Sequence, residues 1–288
     1  MSLVFTEKDH LYKSADPKDS TQWLSVTSLI SLLKPEFDGP AVAAKCSRAR
    51  SGKWKGMDPK TILTVWALEA KRATDLGTFY HKTQEDQILN HPFYDHQGIN
   101  LPVYAPRFDS DGRKVGQAQQ LTDGIYPELM VWLKSMGICG QIDKPIVCDG
   151  KVHIGDYKTN KEIKTKGFKS WDGTVQMMTG PVSHLEDCNL NHYALQLSIY
   201  LYIMLKHNPE LKPGDLTIYH VKFKSMLTPD GQEVVDQFGF PVHACNEMGD
   251  PIVDEVVEYA VPYLKQEVMA IMNWYKLNQP ALLAKKKK

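Results

Sequence analysis

The chain has 288 residues, 42% of them hydrophobic and 24% charged, which is ordinary for a globular protein with a substantial core. Its formal net charge is +0, from 34 basic and 34 acidic residues, so the overall balance gives no support to nucleic-acid binding. No apolar stretch is long enough to span a membrane, and the N-terminus lacks a signal-peptide core. We therefore expect a soluble, cytoplasmic protein without a membrane partner.

The first half of the chain is predicted to be mainly helical. In chain order we expect a short helix at 24–34, a basic helix with its exit loop at 40–56, a long helix at 59–90, and irregular loops with a small hairpin at 91–125. Ser25 or Thr27 is expected to cap the first helix, which ends before Pro35. Gly77 predicts a joint in the long helix.

The second half is predicted to hold the sheet. We expect a strand near 126–133, a hairpin at 138–159, a polar connection at 160–186, a helix at 187–207, strands at 216–223 and 236–243, and a final helix at 253–276. This order predicts an α/β (α+β mixed) fold with a central mixed sheet flanked by helices. We expect residues 1–125 to form a helical part that packs on a core of residues 126–288, the two together making one structural unit.

The hairpin at 138–159 carries the chemistry. Asp149-Gly150 predicts its turn, and alternation along the second strand puts Asp156 and Lys158 on one face. Asp143, on the first strand, then comes close to both. Two carboxylates can hold a hard divalent cation, and the lysine places a positive charge beside a phosphate. The alternative is that these charges form the solvated face of an ordinary hairpin.

Asp143 followed by Asp156-x-Lys158 resembles the motif of the PD-(D/E)xK nuclease superfamily. Three further segments, in the right order, resemble its RecB-like branch, as found in phage-encoded and mitochondrial genome-maintenance exonucleases. They are Gly77-x-x-x-His81-x-x-x-Glu85, Glu128 in the strand before the hairpin, and Gln196-x-x-x-Tyr200 on the following helix.

The resemblance implies a restriction-endonuclease-like core and a metal-dependent mechanism. It implies that one or two Mg²⁺ or Mn²⁺ ions are held by His81, Asp143, Asp156 and the backbone carbonyl of Tyr157. Glu128 joins them directly or through water, and Lys158 orients or activates the attacking water.

The substrate expected from this resemblance is DNA. Gln196 and Tyr200 match positions that contact substrate or the metal site, and the basic residues Lys45, Arg48, Arg50 and Lys161 predict phosphate contacts. For the polar and basic residues alike, a solvated face or an interfacial stripe is the alternative.

The implied activity is an exonuclease that digests DNA ends with little sequence specificity, in recombination, repair or replication. The five cysteines are scattered, with only Cys245 in the C-terminal third, so we expect no iron–sulfur cluster, zinc site or disulfide framework. The resemblance also allows a homo-oligomer and a partner that anneals or binds single strands.

Three alternatives stay open from the sequence. One is an endonuclease, and another is a catalytically inactive nucleic-acid-binding module with the same fold. The third is an α+β interaction protein, in which the side chains of His81, Asp143 and Asp156 point apart.

Overall fold

A computed structural model describes residues 3–6, 11–170 and 172–285 of the chain. The α-helices within these residues are α1 (Val26–Ser31), α2 (Gly39–Ser47), α3 (Pro59–Leu89), α4 (Asn189–His207) and α5 (Lys265–Lys285). The β-strands are β1 (Leu3–Thr6), β2 (Leu11–Ser14), β3 (Leu24–Ser25), β4 (Phe93–His96), β5 (Ile99–Pro102), β6 (Arg107–Phe108), β7 (Lys114–Val115), β8 (Gly124–Ile125), β9 (Leu129–Leu133), β10 (Ile138–Ile142), β11 (Lys144–Cys148), β12 (Lys151–Lys158), β13 (Lys212–Phe223) and β14 (Val253–Val261).

The central sheet has five strands in the order β14-β13-β12-β11-β8. It is mixed, because β12 and β13 run parallel whereas the other neighbours run antiparallel. A three-stranded sheet, β3-β10-β9, is mixed as well. A four-stranded sheet, β2-β1-β7-β6, and the hairpin β4-β5 are antiparallel. The predicted mixed α+β class is confirmed.

Helices cover both faces of the central sheet. On one face, buried residues of α1, α4 and α5 pack with Ile154 of β12 and Ile218 of β13 in the main hydrophobic core. On the other face, Tyr80 of α3 packs against Tyr157 and Val221. Helix α1 therefore packs in the same core as β12, and apolar burial holds the two together. None of the described helices combines the length and apolar character that crossing a membrane requires.

The helix starts follow ordinary capping chemistry. The hydroxyl of Ser25 accepts a hydrogen bond from the amide of Ser28 at the start of α1, as predicted. Asp58 caps α3, which has 31 residues and runs through Gly77 without a break, so the predicted joint is wrong. A Cβ at Gly77 would lie 3.3 Å from Oγ1 of Thr159. The glycine thus allows α3 to approach the residue that follows β12 closely.

Two predictions for the C-terminal third are wrong. Residues 236–240 form a turn, because the Asp236 carboxylate accepts hydrogen bonds from the amides of Phe238 and Phe240, and Pro241 and His243 form isolated bridges rather than a strand. Residues Val253–Val261 form strand β14 on the edge of β13 rather than the start of a helix, and α5 begins only at Lys265. The valines of this segment favour a strand, and pairing with β13 satisfies its backbone.

The predicted hairpin is present, but its first strand is divided. Asp149 and Gly150 both have positive φ, 49° and 70°, and connect β11 to β12 in an antiparallel pair. Before β11, however, the chain leaves the three-stranded sheet at the end of β10. The single residue between β10 and β11 is Asp143, which therefore lies at the junction of two sheets.

Candidate metal centre

Three segments far apart in the sequence bring potential metal ligands together. His81 comes from α3, Glu128 from the residue before β9, and Asp143 from the junction between β10 and β11. One ligand atom from each lies within 4.8 Å of the others. The group can therefore hold a metal ion, and Glu128, expected to join directly or through water, is one of its members.

The backbone around the two carboxylates is held in place. Glu128 has a φ of 56°, in the left-handed region, which is costly by about 1–2 kcal/mol for a residue with a side chain. Its amide donates a hydrogen bond of 3.0 Å to the carbonyl of Asp143. In turn, the Asp143 carboxylate accepts a 2.8 Å hydrogen bond from the amide of Tyr157. Such strain persists where the surroundings fix it, as they do here.

His81 faces both carboxylates with one ring nitrogen. Its Nδ1 lies 3.4 Å from Oδ1 of Asp143 and 3.9 Å from Oε1 of Glu128. Its Nε2 lies 3.2 Å from the carbonyl oxygen of Tyr157. A carbonyl can only accept, so Nε2 carries a proton and donates it. The neutral tautomer that makes this contact presents the Nδ1 lone pair to the carboxylate side, where a cation would sit.

The predicted pair on β12 adjoins this group. Lys158 forms an ion pair with Asp156, and its ammonium lies 4.8 Å from the centre of the Tyr193 ring. The amide that Asp143 binds belongs to Tyr157, the residue between Asp156 and Lys158. The structure thus brings Asp143, Asp156 and Lys158 together, although the Asp156 carboxylate lies outside the three-residue ligand group.

Burial and mutual charge shift the pKa values of these acids in different directions. Burial favours a protonated Asp143, but His81 and Lys158 outweigh it and lower the pKa of this carboxyl below its usual value. Burial raises the pKa of Asp156 to about 6, against the opposing charge of Lys158. Burial also raises the pKa of Glu128, with His81 opposing it.

His81 is strongly basic in these surroundings. Burial favours the neutral imidazole, but the neighbouring carboxylates of Asp143 and Glu128 outweigh it and raise the pKa of His81 to about 11. Without a cation, His81 is therefore protonated at neutral pH, and its positive charge offsets the two acids. A cation that binds at Nδ1 has to displace that proton.

Gln196 and Tyr200, expected to contact substrate, are both buried. The side-chain amide of Gln196 donates to Asp156 at 3.3 Å and lies 3.4 Å from the hydroxyl of Tyr200. A Cβ at Gly140 would lie 2.5 Å from the Tyr200 ring, so the glycine makes room for it. In this structure Gln196 contacts the Asp156 carboxylate from the protein interior, and Tyr200 lies behind Gln196.

The predicted basic residues lie at two distances from the centre. Lys45, Arg48 and Arg50 are exposed, and the loop after them packs on the N-terminal part of α3, where Trp54 contacts Trp66. His81 follows Trp66 by fifteen positions along α3, which corresponds to about 22 Å. The structure does not bring these three cations to the centre.

Lys161 is exposed much closer to the centre. It lines a cavity of about 900 Å³ between α3 and the end of β13, together with Phe79, Thr159 and Phe223. Its lining includes Thr159, the residue after Lys158, but none of the ligand group His81, Glu128 and Asp143.

Neither a scan against protein-family models nor a search of curated proteins found a match for this chain. The geometry and chemistry of the site are therefore the basis for assigning a function.

One lysine at the centre was not predicted. Lys114 on β7 is only 4% exposed, and its ammonium lies 3.6 Å from Glu85 and 3.9 Å from Glu128. The segment around it contains glycine, aspartate and arginine, which indicates an exposed loop, so no local signal marks a buried lysine. Glu85 itself had a signal, since it lies four residues after His81 on the same side of α3.

The donor set suits a hard divalent cation. Two carboxylates and one imidazole nitrogen, with a third carboxylate adjoining, match the ligands of Mn²⁺, and the oxygen-rich shell also accepts Mg²⁺. Opposite ligands of such an ion lie roughly 4.2 Å apart, twice a metal–oxygen distance of about 2.1 Å. The three ligand atoms lie within 4.8 Å of one another, so the group has to contract only slightly to reach that separation.

Proposed function

We propose that this chain is a divalent-metal-dependent nuclease of the PD-(D/E)xK superfamily, in its RecB-like branch. It hydrolyses phosphodiester bonds from DNA ends with little sequence preference. The observation that carries this proposal is the meeting of His81 with Asp143 and with the strand that bears Asp156 and Lys158. His81 lies 76 residues before the Tyr157 carbonyl that it contacts, so the sequence order alone does not bring them together.

The arrangement of the sheet supports a restriction-endonuclease-like core. Strand β12, which carries Asp156 and Lys158, pairs antiparallel with β11 and parallel with β13. Helix α4 connects the two parallel strands and packs on them. The acidic residues therefore sit at one end of a mixed sheet, and a helix from each side, α3 and α4, reaches them.

In the proposed mechanism, His81, Glu128 and Asp143 hold the cation, and Asp156 lies ready to join them. A bound Mg²⁺ or Mn²⁺ ion supplies a Lewis acid that polarises the phosphate and lowers the pKa of water. Tyr157 contributes its amide and carbonyl, which hold Asp143 and His81 in place.

Lys158 acts through its charge. Burial favours the neutral amine, but Asp156 and Asp143 outweigh it and raise the pKa of Lys158 above its usual value. It therefore stays protonated at neutral pH and cannot accept a proton from water. Its ammonium instead orients the water and offsets the negative charge that develops on the phosphate.

The path of the DNA follows from the surroundings of Lys158. Lys161 lines the cavity between α3 and β13, three residues after Lys158, and in this proposal it contacts a backbone phosphate. The basic residues Lys45, Arg48 and Arg50 contact DNA farther away along α3. Digestion from ends, a role in recombination or repair, a homo-oligomer and a single-strand annealing partner come from the family resemblance.

The interaction-protein alternative expected His81, Asp143 and Asp156 to point apart. Instead, Nδ1 of His81 lies 3.4 Å from Asp143, and Asp143 binds the residue next to Asp156. An inactive DNA-binding module and an endonuclease share this geometry, and only activity separates them from the proposal.

The test uses the purified protein with end-labelled linear, circular and single-stranded DNA, in Mg²⁺, Mn²⁺ or a chelator. We expect metal-dependent loss of label from linear DNA, no attack on circles, and no activity from Asp156→Ala. Asp215→Ala, which removes an exposed carboxylate from neighbouring β13, is the matched control and keeps full activity. Digestion of linear DNA by Asp156→Ala at the parent rate contradicts the assignment, and cleavage of circles favours the endonuclease.

A further inference from the structure

Lys114 is a buried cation that comes from outside the sheets carrying the acids. It lies on β7, which pairs with β1 in the four-stranded sheet near the N-terminus. Its side chain is 4% exposed. An ammonium group is costly to bury unless charges pair with it, so its partners account for its position.

The partners of Lys114 are two carboxylates with different surroundings. Glu85 on α3 offers Oε1 at 3.6 Å, while its Oε2 lies 3.5 Å from the exposed Lys82. Glu128 offers Oε2 at 3.9 Å. Lys114 therefore bridges a residue of the long helix and a member of the metal-ligand group.

The two oxygens of Glu128 have separate tasks. Oε2 is contacted by the side-chain amide of Gln141 and by Lys114, whereas Oε1 is turned toward His81. The left-handed backbone of Glu128 fixes the direction in which its side chain leaves the chain. The contacts on Oε2 then fix the rotation of the carboxylate. The other oxygen, Oε1, is the one that faces the ligand group.

We propose that Lys114 is a positioning residue of the metal centre. Its ammonium attracts Oε2 of Glu128 and so keeps Oε1 directed at the cation. Glu85 is the counterion that keeps Lys114 in place. This inference rests on the proposed function, because it assumes that the ligand group binds a divalent cation. It also gives the small N-terminal sheet a role in the activity, since that sheet carries the lysine.

The direct test is calorimetric titration of the full-length protein with MnCl₂ in the absence of DNA. We expect Lys114→Met, which keeps the length of the side chain and removes its charge, to weaken Mn²⁺ binding by about 10–100-fold, the usual effect of removing a group that orients a metal ligand. An unchanged Mn²⁺ affinity in this variant overturns the inference while leaving the proposed function intact. A parent protein that binds no Mn²⁺ overturns the proposed function itself.

A second variant separates positioning from simple charge balance. Lys114→Met leaves two buried acids without their cation and destabilises the fold, whereas Lys114→Met/Glu85→Gln removes one charge of each sign. We expect the double variant to regain thermal stability and still bind Mn²⁺ about 10–100-fold more weakly than the parent. If Lys114 only balances charge, the double variant regains the parent's Mn²⁺ affinity, which overturns the inference even where the single variant fails to fold.

Discussion

Strand β12 has a histidine–carboxylate pair near each end, and the two pairs differ in almost every respect. At its C-terminal end, His81 meets buried Asp143. Toward its N-terminal end, His153 lies 3.0 Å from Asp215, a carboxylate that is 74% exposed. Distance alone ranks the second pair as the closer contact. Only the first pair belongs to a group that can hold a metal ion.

The two pairs differ in the contacts that the imidazole nitrogens of His153 and His81 make. Nδ1 of His153 accepts a hydrogen bond from the amide of Asp215, so its lone pair is already used. Nδ1 of His81 faces carboxylates from two segments, while Nε2 is fixed by a carbonyl. A histidine and an acid can hold a metal ion when the acids are buried and converge from several segments, and when a cation can replace the proton on the histidine nitrogen that faces them.

The largest expected effect is the loss of the buried acid. Asp143→Asn removes one negative charge from the ligand group while keeping its shape, so we expect Mn²⁺ binding and DNA cleavage to fall below detection. Asp215→Asn, at the other end of β12, leaves both at the parent level. Calorimetry and an end-label assay measure the two quantities. If Asp143→Asn and Asp215→Asn lower Mn²⁺ binding and DNA cleavage equally, the two histidine–carboxylate pairs do not differ in function.

The next largest effect concerns Lys158. Lys158→Ala removes a charge that acts on the phosphate, and we expect turnover to fall by about 10²–10³. Mn²⁺ affinity changes much less, because Lys158 is not a ligand. Lys151→Ala, an exposed lysine at the start of the same strand, is the control and keeps the parent's turnover. If Lys158→Ala lowers Mn²⁺ affinity as much as it lowers turnover, Lys158 has a structural role instead.

The pH dependence of metal binding tests the state of His81. The folded protein keeps the His81 proton up to a pKa of about 11, so a cation must displace it at any neutral pH. Mn²⁺ affinity should therefore rise about tenfold per pH unit between pH 7 and 8.5. The sign is fixed, because a higher pH removes the competing proton. Asp143, with its lowered pKa, is ionised throughout and adds nothing to the slope.

The control for this slope is His81→Asn. It weakens Mn²⁺ binding, but with no imidazole to deprotonate the affinity stays nearly flat over the same range. Calorimetric titrations in buffers of different ionisation enthalpy count the released proton directly. A flat profile for the parent protein excludes the displacement of a proton from His81.

The smallest expected effect concerns the backbone of Glu128. Both Glu128→Gly and Glu128→Ala remove the carboxylate, but only glycine adopts a φ of 56° without strain. We expect the glycine variant to have the higher free energy of unfolding, by about 0.5–1 kcal/mol, in urea denaturation. At Asp215, which has ordinary backbone geometry, the alanine variant is the more stable of the two.

The parts of the site that the sequence predicted are those with a local pattern. Asp149-Gly150 marks a tight turn, and strand alternation places Asp156 with Lys158, so the hairpin was predictable from neighbouring residues. Helix α4 follows from its apolar spacing, whereas α1 and α3 follow from Ser25 and Pro59 at their starts.

The parts that were missed depend on distant residues. Strand β14 forms because it can pair with the edge of β13, and no residue within Val253–Val261 indicates that this edge is available. Lys114 is buried because Glu85 and Glu128 meet it from other segments. Gln196 and Tyr200 were located correctly on the helix, but only the packing of α4 shows that they face Asp156 from the inside.

The single residue between β10 and β11 limits how the length of the chain can change. Asp143 ends one sheet and precedes another, so inserting or deleting one residue in either strand turns its side chain to the opposite face. The segment between β12 and α4 is less restricted at the exposed turn of residues 172–174, although Met178 and Val182 farther along it are buried in the main core. Tags or reporter peptides therefore belong at the exposed turn of residues 172–174, whereas residues 138–148 tolerate no change in length.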